Sequence, residues 1–283
     1  SLSKDPLDPI EGPPFVTCKA WGIADGKTGR LLWSHNESER LNPASTTKIM
    51  TAVVALAEAQ QRPESLRDQV VFSTRADQTI GSSCRLRAGE TLSVDELLYG
   101  LLLPSGNDAS VAIGEQFGRH FDTPEGSSEE ADPLDRFVAQ MNRTARSLGL
   151  EDTRYRNTHG MTAPDHLTSA RDLARLAAHA MQIPRFREIV STAQRGCTVR
   201  SLAGYSRNVL WKNTNRLLRI EGYCGIKTGT TDAAGACLVS YSSRSDRDLI
   251  VVVLGSSSSD ARYTDTRNLF RWGWQQTLRF AAR

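Results

Sequence analysis

An uninterrupted apolar run dominates the first quarter of this chain. Residues 52–57 read Ala-Val-Val-Ala-Leu-Ala, and neither glycine nor proline occurs between Ala44 and Ala57. This composition predicts a buried helix, and Pro43 stands where a helix can begin. Ser45 therefore falls at or near the helix N-terminus, and Lys48 follows three residues later. Because residues three apart share one face of a helix, the lysine amine can reach the serine hydroxyl.

The chemistry open to this pair depends on the charge of the lysine. A serine hydroxyl becomes an effective nucleophile only when a neighbouring group takes its proton. Lys48 can act in this way only while it is uncharged, which requires burial or a second cation to lower its pKa from about 10.4. Free N–H groups at the helix N-terminus would stabilise an oxyanion that forms beside Ser45. The pair therefore indicates nucleophilic catalysis by serine.

The Ser-x-x-Lys spacing alone is weak evidence, because a chain of this size contains it by chance about once. A second copy, Ser1 with Lys4, lies in a polar, proline-rich segment. Short patterns that resemble possible partner motifs are also repeated, at Lys27-Thr28-Gly29, Ser34-His35-Asn36 and Ser206-Arg207-Asn208. Only the surrounding sequence can indicate which copy of each pattern is functional.

Two further segments lie where functional groups are commonly held. Ser105-Gly106-Asn107 falls between two predicted helices, although a turn with an asparagine cap explains it more simply when it is taken alone. Lys227-Thr228-Gly229-Thr230 ends a predicted strand. A glycine there weakens the strand unless another backbone comes close, and a peptide substrate docked along the strand is such a backbone. Lys27-Thr28-Gly29 is explained as an ordinary hairpin turn.

Composition limits the possible functions. The chain has 283 residues, 39% hydrophobic and 24% charged, which suits a globular protein with a sizeable core. Its net charge of +3 is small and dispersed, so nothing favours nucleic-acid binding. No apolar run is long enough to span a bilayer. The five cysteines are scattered and the five histidines form no pair at metal-ligand spacing, so neither a metal nor a cofactor is expected.

The order of predicted elements indicates the fold class. A hairpin is predicted over residues 15–34, and strong strands return at 236–241 and 249–254, before a final helix. Helices are predicted between these strands over residues 45–62, 93–103, 109–117, 134–148 and 168–181. Strands at both ends suggest one sheet with an inserted, mostly helical lobe at roughly 50–180. Residues 1–14 are interpreted as a polar tether or a cloning remnant, and 15–283 as the functional domain.

Several stretches resemble the low-molecular-mass penicillin-binding proteins, which are serine D-alanyl-D-alanine carboxypeptidases of the peptidase S11 type. The resemblance extends from about Phe15 to Phe280. It is carried by Pro43-Ala44-Ser45-Thr46-Thr47-Lys48-Ile49-Met50-Thr51, Leu101-Leu102-Leu103-Pro104-Ser105-Gly106-Asn107-Asp108-Ala109, Phe137-Val138-Ala139-Gln140-Met141-Asn142, Asn157-Thr158-His159-Gly160, Asn213-Thr214-Asn215 and Gly225-Ile226-Lys227-Thr228-Gly229-Thr230-Thr231. Ser-x-x-Lys, Ser-x-Asn and Lys-Thr-Gly in this order are the boxes of penicillin-recognising enzymes.

The resemblance implies catalytic roles for three residues. Ser45 would attack the carbonyl of the penultimate D-alanine and form an acyl-enzyme. Lys48 would take the proton of that serine, and Ser105 would relay a proton to the leaving amine. The backbone N–H groups of Ser45 and Thr230 would form the oxyanion hole.

The resemblance also implies a substrate-binding set. Asn107 would hold the peptide amide or Lys48. Lys227 would attract the terminal carboxylate and, as a like charge, help to keep Lys48 neutral. Thr228, Gly229 and Thr230 would complete the strand on which the peptide lies.

The family further implies a fold, a substrate and a location. The fold would be β-lactamase/transpeptidase-like, an α/β (α+β) arrangement of an antiparallel sheet with flanking helices and an inserted helical lobe. The partners would be peptidoglycan stem peptides ending in D-Ala-D-Ala, with β-lactam antibiotics as covalent inhibitors. The enzyme would work in the bacterial cell envelope, periplasmic or extracellular, exported with its signal peptide removed.

Three alternatives stay open at this point. A D-alanyl endopeptidase cannot be separated from a carboxypeptidase by sequence. A class A-like β-lactamase shares the serine and lysine, but no Glu-x-x-Leu-Asn stretch occurs between Ser105 and Lys227. A non-catalytic cell-wall-binding domain is the remote alternative.

Two features depart from the family. Many members carry a second, β-rich domain and a membrane-surface helix, so membrane association is expected only through a tail that this sequence lacks. Arginines near Trp274 in the last helix hint at an interfacial role, but core packing explains its aromatic residues more simply. The acidic loop Glu125–Asp132 has no functional account.

Overall fold

The computed structural model describes residues 12–123, 131–244 and 247–281, and the side chains up to residue 277. Most of the segment 1–14 and most of the loop Glu125–Asp132 lie outside these ranges. The strands are β1 Ala20–Asp25, β2 Leu31–His35, β3 Gln69–Val71, β4 Glu90–Ser93, β5 Gln194–Ser201, β6 Ser206–Lys212, β7 Tyr223–Thr231, β8 Gly235–Arg244 and β9 Arg247–Ser256. The α-helices are α1 Lys48–Gln61, α2 Thr74–Asp77, α3 Val94–Leu102, α4 Asn107–Gly118, α5 Pro133–Ser147, α6 Ala170–Met181, α7 Pro184–Ser191 and α8 Ala261–Ala281.

The larger sheet joins the two ends of the chain. Its five antiparallel strands run in the order β2-β1-β9-β8-β7, so the first hairpin pairs with the last strands. Residues of β9 are buried from Leu249 to Ser256, as expected for a strand with helices on both faces. The predicted fold class is therefore confirmed as an antiparallel sheet flanked by helices. The division of the chain at residue 15 stays a prediction.

A second sheet was not predicted from the sequence. It has four strands in the order β3-β4-β5-β6, and two of them lie within residues 64–93, where the sequence predicts no strand. Strands β3 and β4 have only three and four residues, and β5 and β6 are largely polar with alternating exposed residues, so all four lack the long apolar runs that mark β8 and β9. Strand β6 pairs with β5 alone among the described residues, which leaves its other edge unpaired.

The helical region is organised around α1. Ten of its residues are buried, and it contacts α3, α4, α5, α6 and α7, which explains why the sequence is apolar on every side. Serine side chains cap two of the predicted helices at their N-termini. Ser93 accepts a hydrogen bond from the N–H of Glu96, and Ser169 accepts one from the N–H of Asp172. Helix α7, which begins at Pro184, was not predicted.

Helix α8 covers the outer face of the larger sheet. Phe270 and Trp274 are buried in it, and Trp272 packs edge-to-face against Trp21 and Trp33. Packing in the core therefore accounts for these aromatic residues, as the simpler interpretation held. Among the described residues, no helix is both long and apolar enough to cross a membrane.

Candidate active site

The predicted nucleophile, Ser45, lies in a short 3₁₀ turn, Ala44–Thr47, that leads directly into α1 and is called the catalytic turn below. Ser45 is partly exposed, whereas the other three residues of the turn are buried. The Thr46 hydroxyl donates a 2.7 Å hydrogen bond to the carbonyl of Pro43, which fixes the turn from within. The sequence thus placed Ser45 correctly at the start of the helix, but it did not predict the tighter turn.

Lys48 is fully buried, and its amine contacts three oxygen atoms. The nitrogen Nζ lies 2.8 Å from Ser45 Oγ, 2.7 Å from Asn107 Oδ1 and 2.8 Å from the carbonyl oxygen of His159. Burial is the largest cause that lowers the pKa of Lys48 well below its usual value, and the charge of Lys227 lowers it further. The carboxylate of Asp108 acts in the opposite direction, but it does not outweigh these effects.

The partners of this amine decide how a neutral Lys48 must be oriented. The Asn107 amide oxygen and the His159 carbonyl oxygen can only accept hydrogen bonds. A neutral amine has two hydrogens and one lone pair, so both hydrogens go to these acceptors. The lone pair then faces Ser45 Oγ, and the serine must donate its proton toward Nζ.

A second lysine and a second serine form the opposite wall. Lys227 is 1% exposed, and its Nζ donates hydrogen bonds of 2.9 Å to Ser105 Oγ and to the carbonyl of Thr228. Burial first, and then the charge of Arg262, lower the pKa of Lys227 to about 7. Ser105 has a backbone φ of +67°, a left-handed conformation that is costly for serine and is often found at functional sites.

Asn107 and Asp108 hydrogen-bond the loop at residues 80–84, which lies beside the site. The Asn107 amide nitrogen donates to the carbonyl of Ile80, so both ends of its side chain are used. Asp108 accepts from the Ser83 hydroxyl at 2.6 Å and from the backbone N–H of Cys84. Of the two roles that we expected for Asn107, the structure shows the contact with Lys48.

Strand β7 lies directly against the catalytic turn. A side-chain carbon placed on Gly229 would come within 2.8 Å of Ser45 N and 3.1 Å of Thr46 N. The close backbone that requires this glycine is therefore the turn itself, and not only a docked peptide as the sequence suggested. Because β7 pairs only with β8 among the described strands, its other edge is free beside Ser45.

The threonines of β7 are tied to neighbouring elements. The Thr228 hydroxyl lies 2.8 Å from that of Thr214, which belongs to the Asn213-Thr214-Asn215 segment. Arg262 on α8 donates to the Thr230 hydroxyl at 2.8 Å and to the carbonyl of Gly229 at 3.1 Å. Sequence reasoning missed Arg262, because it lies outside every motif and many arginines have similar local surroundings.

The floor of the site is formed by the segment Asn157-Thr158-His159-Gly160. Asn157 holds the turn by accepting from the N–H of Gly160, and the turn presents the carbonyl of His159 to Lys48. Gly160 has a φ of +98°, and a side chain there would overlap the carbonyl of Ala44. This segment therefore needs glycine in order to reach the catalytic turn.

A buried histidine, His166, was also missed by sequence reasoning. It contacts Thr47, the residue that precedes α1. His166 Nδ1 accepts from the N–H of Arg156, so its proton is on Nε2 and is donated to the Thr47 hydroxyl at 2.9 Å. Burial is the main cause that lowers the pKa of His166 to about 4. The ring is thus neutral near pH 7 and fixed in one tautomer.

Within residues 12–123, 131–244 and 247–281, no three His, Cys, Asp or Glu side chains cluster so that they could hold an ion. The five cysteines are unpaired, and Cys18, Cys84 and Cys237 are buried. The groups that meet around Lys48 are the Ser45 hydroxyl, the Asn107 amide oxygen and a backbone carbonyl.

Sequence comparison gives matches over nearly the whole chain. A family model described as D-alanyl-D-alanine carboxypeptidase matches residues 9–258. A D-alanyl-D-alanine carboxypeptidase of Streptomyces sp. strain K15 is 31% identical, over 97% of this chain and 92% of that protein. The D-alanyl-D-alanine carboxypeptidase DacC of Escherichia coli is 33% identical, over 93% of this chain but only 62% of that protein.

Solved structures share the fold. The Streptomyces K15 DD-transpeptidase has a TM-score of 0.85 at 32% identity, over 93% of this chain and 99% of that one. The D-alanyl-D-alanine carboxypeptidase DacD of Francisella tularensis has a TM-score of 0.81 at 27% identity, over 95% of this chain and 73% of that one. The likeness in fold thus extends over nearly the whole chain.

Proposed function

Because this chain belongs to the D-alanyl-D-alanine carboxypeptidase family, we propose that it removes the terminal D-alanine from peptidoglycan stem peptides by way of an acyl-enzyme on Ser45. The observation that carries the proposal is the Lys48 amine, which lies 2.8 Å from Ser45 Oγ while two pure acceptors take its hydrogens. β-Lactam antibiotics would acylate the same serine. The natural place of action is the bacterial cell envelope, where this substrate occurs.

Substrate binding follows from the free edge of β7 and the charges beside it. An extended peptide can add to this edge through main-chain hydrogen bonds, with its scissile carbonyl at Ser45. Lys227 and Arg262 supply positive charge at one end of the cleft, and Thr228 and Thr230 supply hydroxyl groups there. This end suits the terminal carboxylate of the D-alanine that leaves.

Acylation begins with proton transfer within the Ser45–Lys48 pair. Lys48 takes the proton of Ser45 as Oγ attacks the carbonyl carbon of the penultimate D-alanine. The backbone N–H groups of Ser45 and Thr230 stabilise the resulting oxyanion, and the loss of one such donor typically costs about 3 kcal/mol of barrier. The contact between Gly229 and the catalytic turn supports this pairing of donors.

Departure of D-alanine requires a proton on its nitrogen. Ser105 relays this proton from Lys48 to the leaving amine, so that the C–N bond breaks and Lys48 becomes neutral again. The hydrogen bond from Lys227 to Ser105 Oγ orients the relay. Water then attacks the ester with Lys48 as the base, which returns Ser45 to its starting form.

The same geometry argues against fast β-lactam hydrolysis. In the part of the chain that the structure describes, no aspartate or glutamate side chain hydrogen-bonds Ser45 or Lys48. A carboxylate that positions water is how class A β-lactamases deacylate quickly. The penicilloyl-enzyme should therefore be long-lived.

The test is covalent labelling with a fluorescent penicillin, followed by peptide mapping in a mass spectrometer. We expect one adduct on Ser45, none in Ser45→Ala, and strongly reduced labelling in Lys227→Ala. Lys27→Ala is the matched control. Lys27 also begins a Lys-Thr-Gly sequence, but it lies in the exposed turn between β1 and β2. Labelling of Ser45→Ala, or rapid turnover of a chromogenic cephalosporin by the unchanged protein, would contradict the proposal.

A further inference from the structure

A cavity of about 690 Å³ opens beside the catalytic wall formed by Ser105 and Lys227. Two segments line most of it, the loop Ser82–Arg85 and strand β6 from Arg207 to Lys212, and Pro104 and Thr214 also line it. Pro104 is bonded to Ser105, and the Thr214 hydroxyl lies 2.8 Å from that of Thr228. The cavity therefore adjoins the cleft next to Ser105 and Thr228, where the proposed mechanism places the leaving group.

The shape of this cavity suits an extended peptide. All six residues from Arg207 to Lys212 line it, although successive side chains of a strand point to opposite faces. The cavity is therefore bordered by the edge of strand β6, and not by a face of the sheet. This edge is unpaired among the described strands, so its backbone groups are free to bind another main chain.

The charged residues that line the cavity are all positive. Its lining contains Arg85, Arg207 and Lys212 but no aspartate or glutamate. Arg207 already pairs with Glu90, which is fully buried. Arg85 and Lys212 are exposed, and neither side chain has an ion pair or a hydrogen bond within the described residues. Two cations are thus left for an anionic ligand.

The backbone at Arg85 is held in an unfavourable conformation. Its φ is +64°, in the left-handed region that arginine rarely adopts. Its N–H donates to the Ser83 hydroxyl at 2.8 Å, and its carbonyl accepts from the Arg207 guanidinium at 2.6 Å. Such conformations persist only where the surroundings enforce them, and they concentrate at ligand clamps and active sites.

We propose that this groove, formed by Ser82–Arg85 and Arg207–Lys212, binds the second stem peptide of a D-alanyl cross-link, with its carboxylates facing Arg85 and Lys212. The inference rests on the proposed function, since it uses the same Ser45 chemistry. Ser45 Oγ bonds to the D-alanyl carbonyl carbon, and the cross-link C–N bond breaks. The nitrogen takes a proton through Ser105 and leaves as a side-chain amine on the peptide in the groove. Water then hydrolyses the ester to a D-alanyl carboxylate.

The experiment compares two substrates on the same enzyme. One is a cross-linked muropeptide dimer with free carboxylates on the amine-side stem, and the other is a monomeric pentapeptide. For the double variant Arg85→Ala/Lys212→Ala, we expect kcat/KM for the dimer to fall about tenfold or more. D-Alanine release from the monomer and acylation by penicillin should change less than twofold. The control is Arg200→Ala, an exposed arginine of the same hairpin that does not line the groove.

Each outcome separates this inference from the function on which it rests. A dimer whose amine-side carboxylates are amidated should be cleaved poorly by the unchanged enzyme and be insensitive to the double variant. The proposed role of the groove would be refuted if the double variant affected dimer and monomer equally or left dimer cleavage unchanged. It would also be refuted if the unchanged enzyme released D-alanine but did not cleave the dimer. Absence of both penicillin labelling and D-alanine release would instead refute the proposed function.

Discussion

The contact between β7 and the catalytic turn can be tested by adding one methyl group. In Gly229→Ala, the new carbon would lie 2.8 Å from Ser45 N, 3.0 Å from Ala44 Cβ and 3.1 Å from Thr46 N. Ordinary contacts of this kind begin near 3.4 Å, so the strand and the turn must separate by about half an ångström. None of the three atoms belongs to a flexible side chain, so the strain cannot be relieved by a rotamer change.

The expected consequence is a catalytic defect in a folded protein. A displacement of this size at the oxyanion hole should slow acylation roughly 10- to 100-fold. Overpacking of a buried site should cost about 1–3 kcal/mol of unfolding free energy, which lowers the melting temperature by several degrees without unfolding the enzyme at 25 °C. Stopped-flow acylation by a fluorescent penicillin measures the first effect, and thermal unfolding by circular dichroism measures the second.

A second strand glycine provides the control. In Gly196→Ala on β5, the nearest atoms would be 3.9 and 4.0 Å from the new carbon, which is ordinary contact. This variant should acylate at the rate of the unchanged enzyme. If Gly229→Ala folds and acylates within threefold of that rate, or if both variants are equally impaired, then the close register of strand and turn is not what positions the nucleophile.

Three other predictions concern single groups. Because the pKa of Lys227 is about 7 in the free enzyme, kcat/KM for a peptide with a free terminal carboxylate should decline as the pH rises from 7 to 9; a flat profile would contradict this. Arg262→Gln should raise KM for that peptide about tenfold and affect its carboxamide analogue less, and equal effects would refute a role in carboxylate binding. The pKa of His166 is about 4 in the folded protein and about 6.5 in the unfolded chain. The unfolded chain therefore binds the proton first, and the free energy of unfolding decreases as the pH is lowered. His166 should contribute about 3 kcal/mol to the loss between pH 7 and 4, so the loss in His166→Gln should be smaller by about that amount; urea unfolding that shows the same loss in both proteins would contradict it.

Local sequence signals predicted the elements that carry the chemistry. The apolar run after Ser45 predicted α1, and the glycine and proline signals around Ser105 predicted a loop between helices. Their success has a physical reason, since helix periodicity, capping and spacing of three residues are properties of a few neighbouring positions. The shared motifs then selected Lys227 over Lys27, which spacing alone could not do.

Features that depend on distant contacts were not predictable in this way. Arg262 reaches Thr230 only because α8 packs beside the end of β7. His166 supports Thr47 across 119 positions of sequence, and no local pattern marks such a pair. The sequence suggested a substrate backbone beside Gly229, whereas the nearest backbone is that of the catalytic turn. The second sheet was missed because two of its strands have only three and four residues and the other two are largely polar.

The charge of Lys48 is the most direct test of the account. The chain contains only six lysines, so ¹³C-labelled lysine gives few Cε signals, and Lys48→Arg identifies the one that matters. An NMR titration of the folded enzyme should show that Lys48 loses its proton far below the usual pKa of about 10.4 and is uncharged at pH 7.5. A titration midpoint near 10, in an enzyme that still acylates with penicillin at pH 7.5, would contradict the claim that a neutral Lys48 activates Ser45.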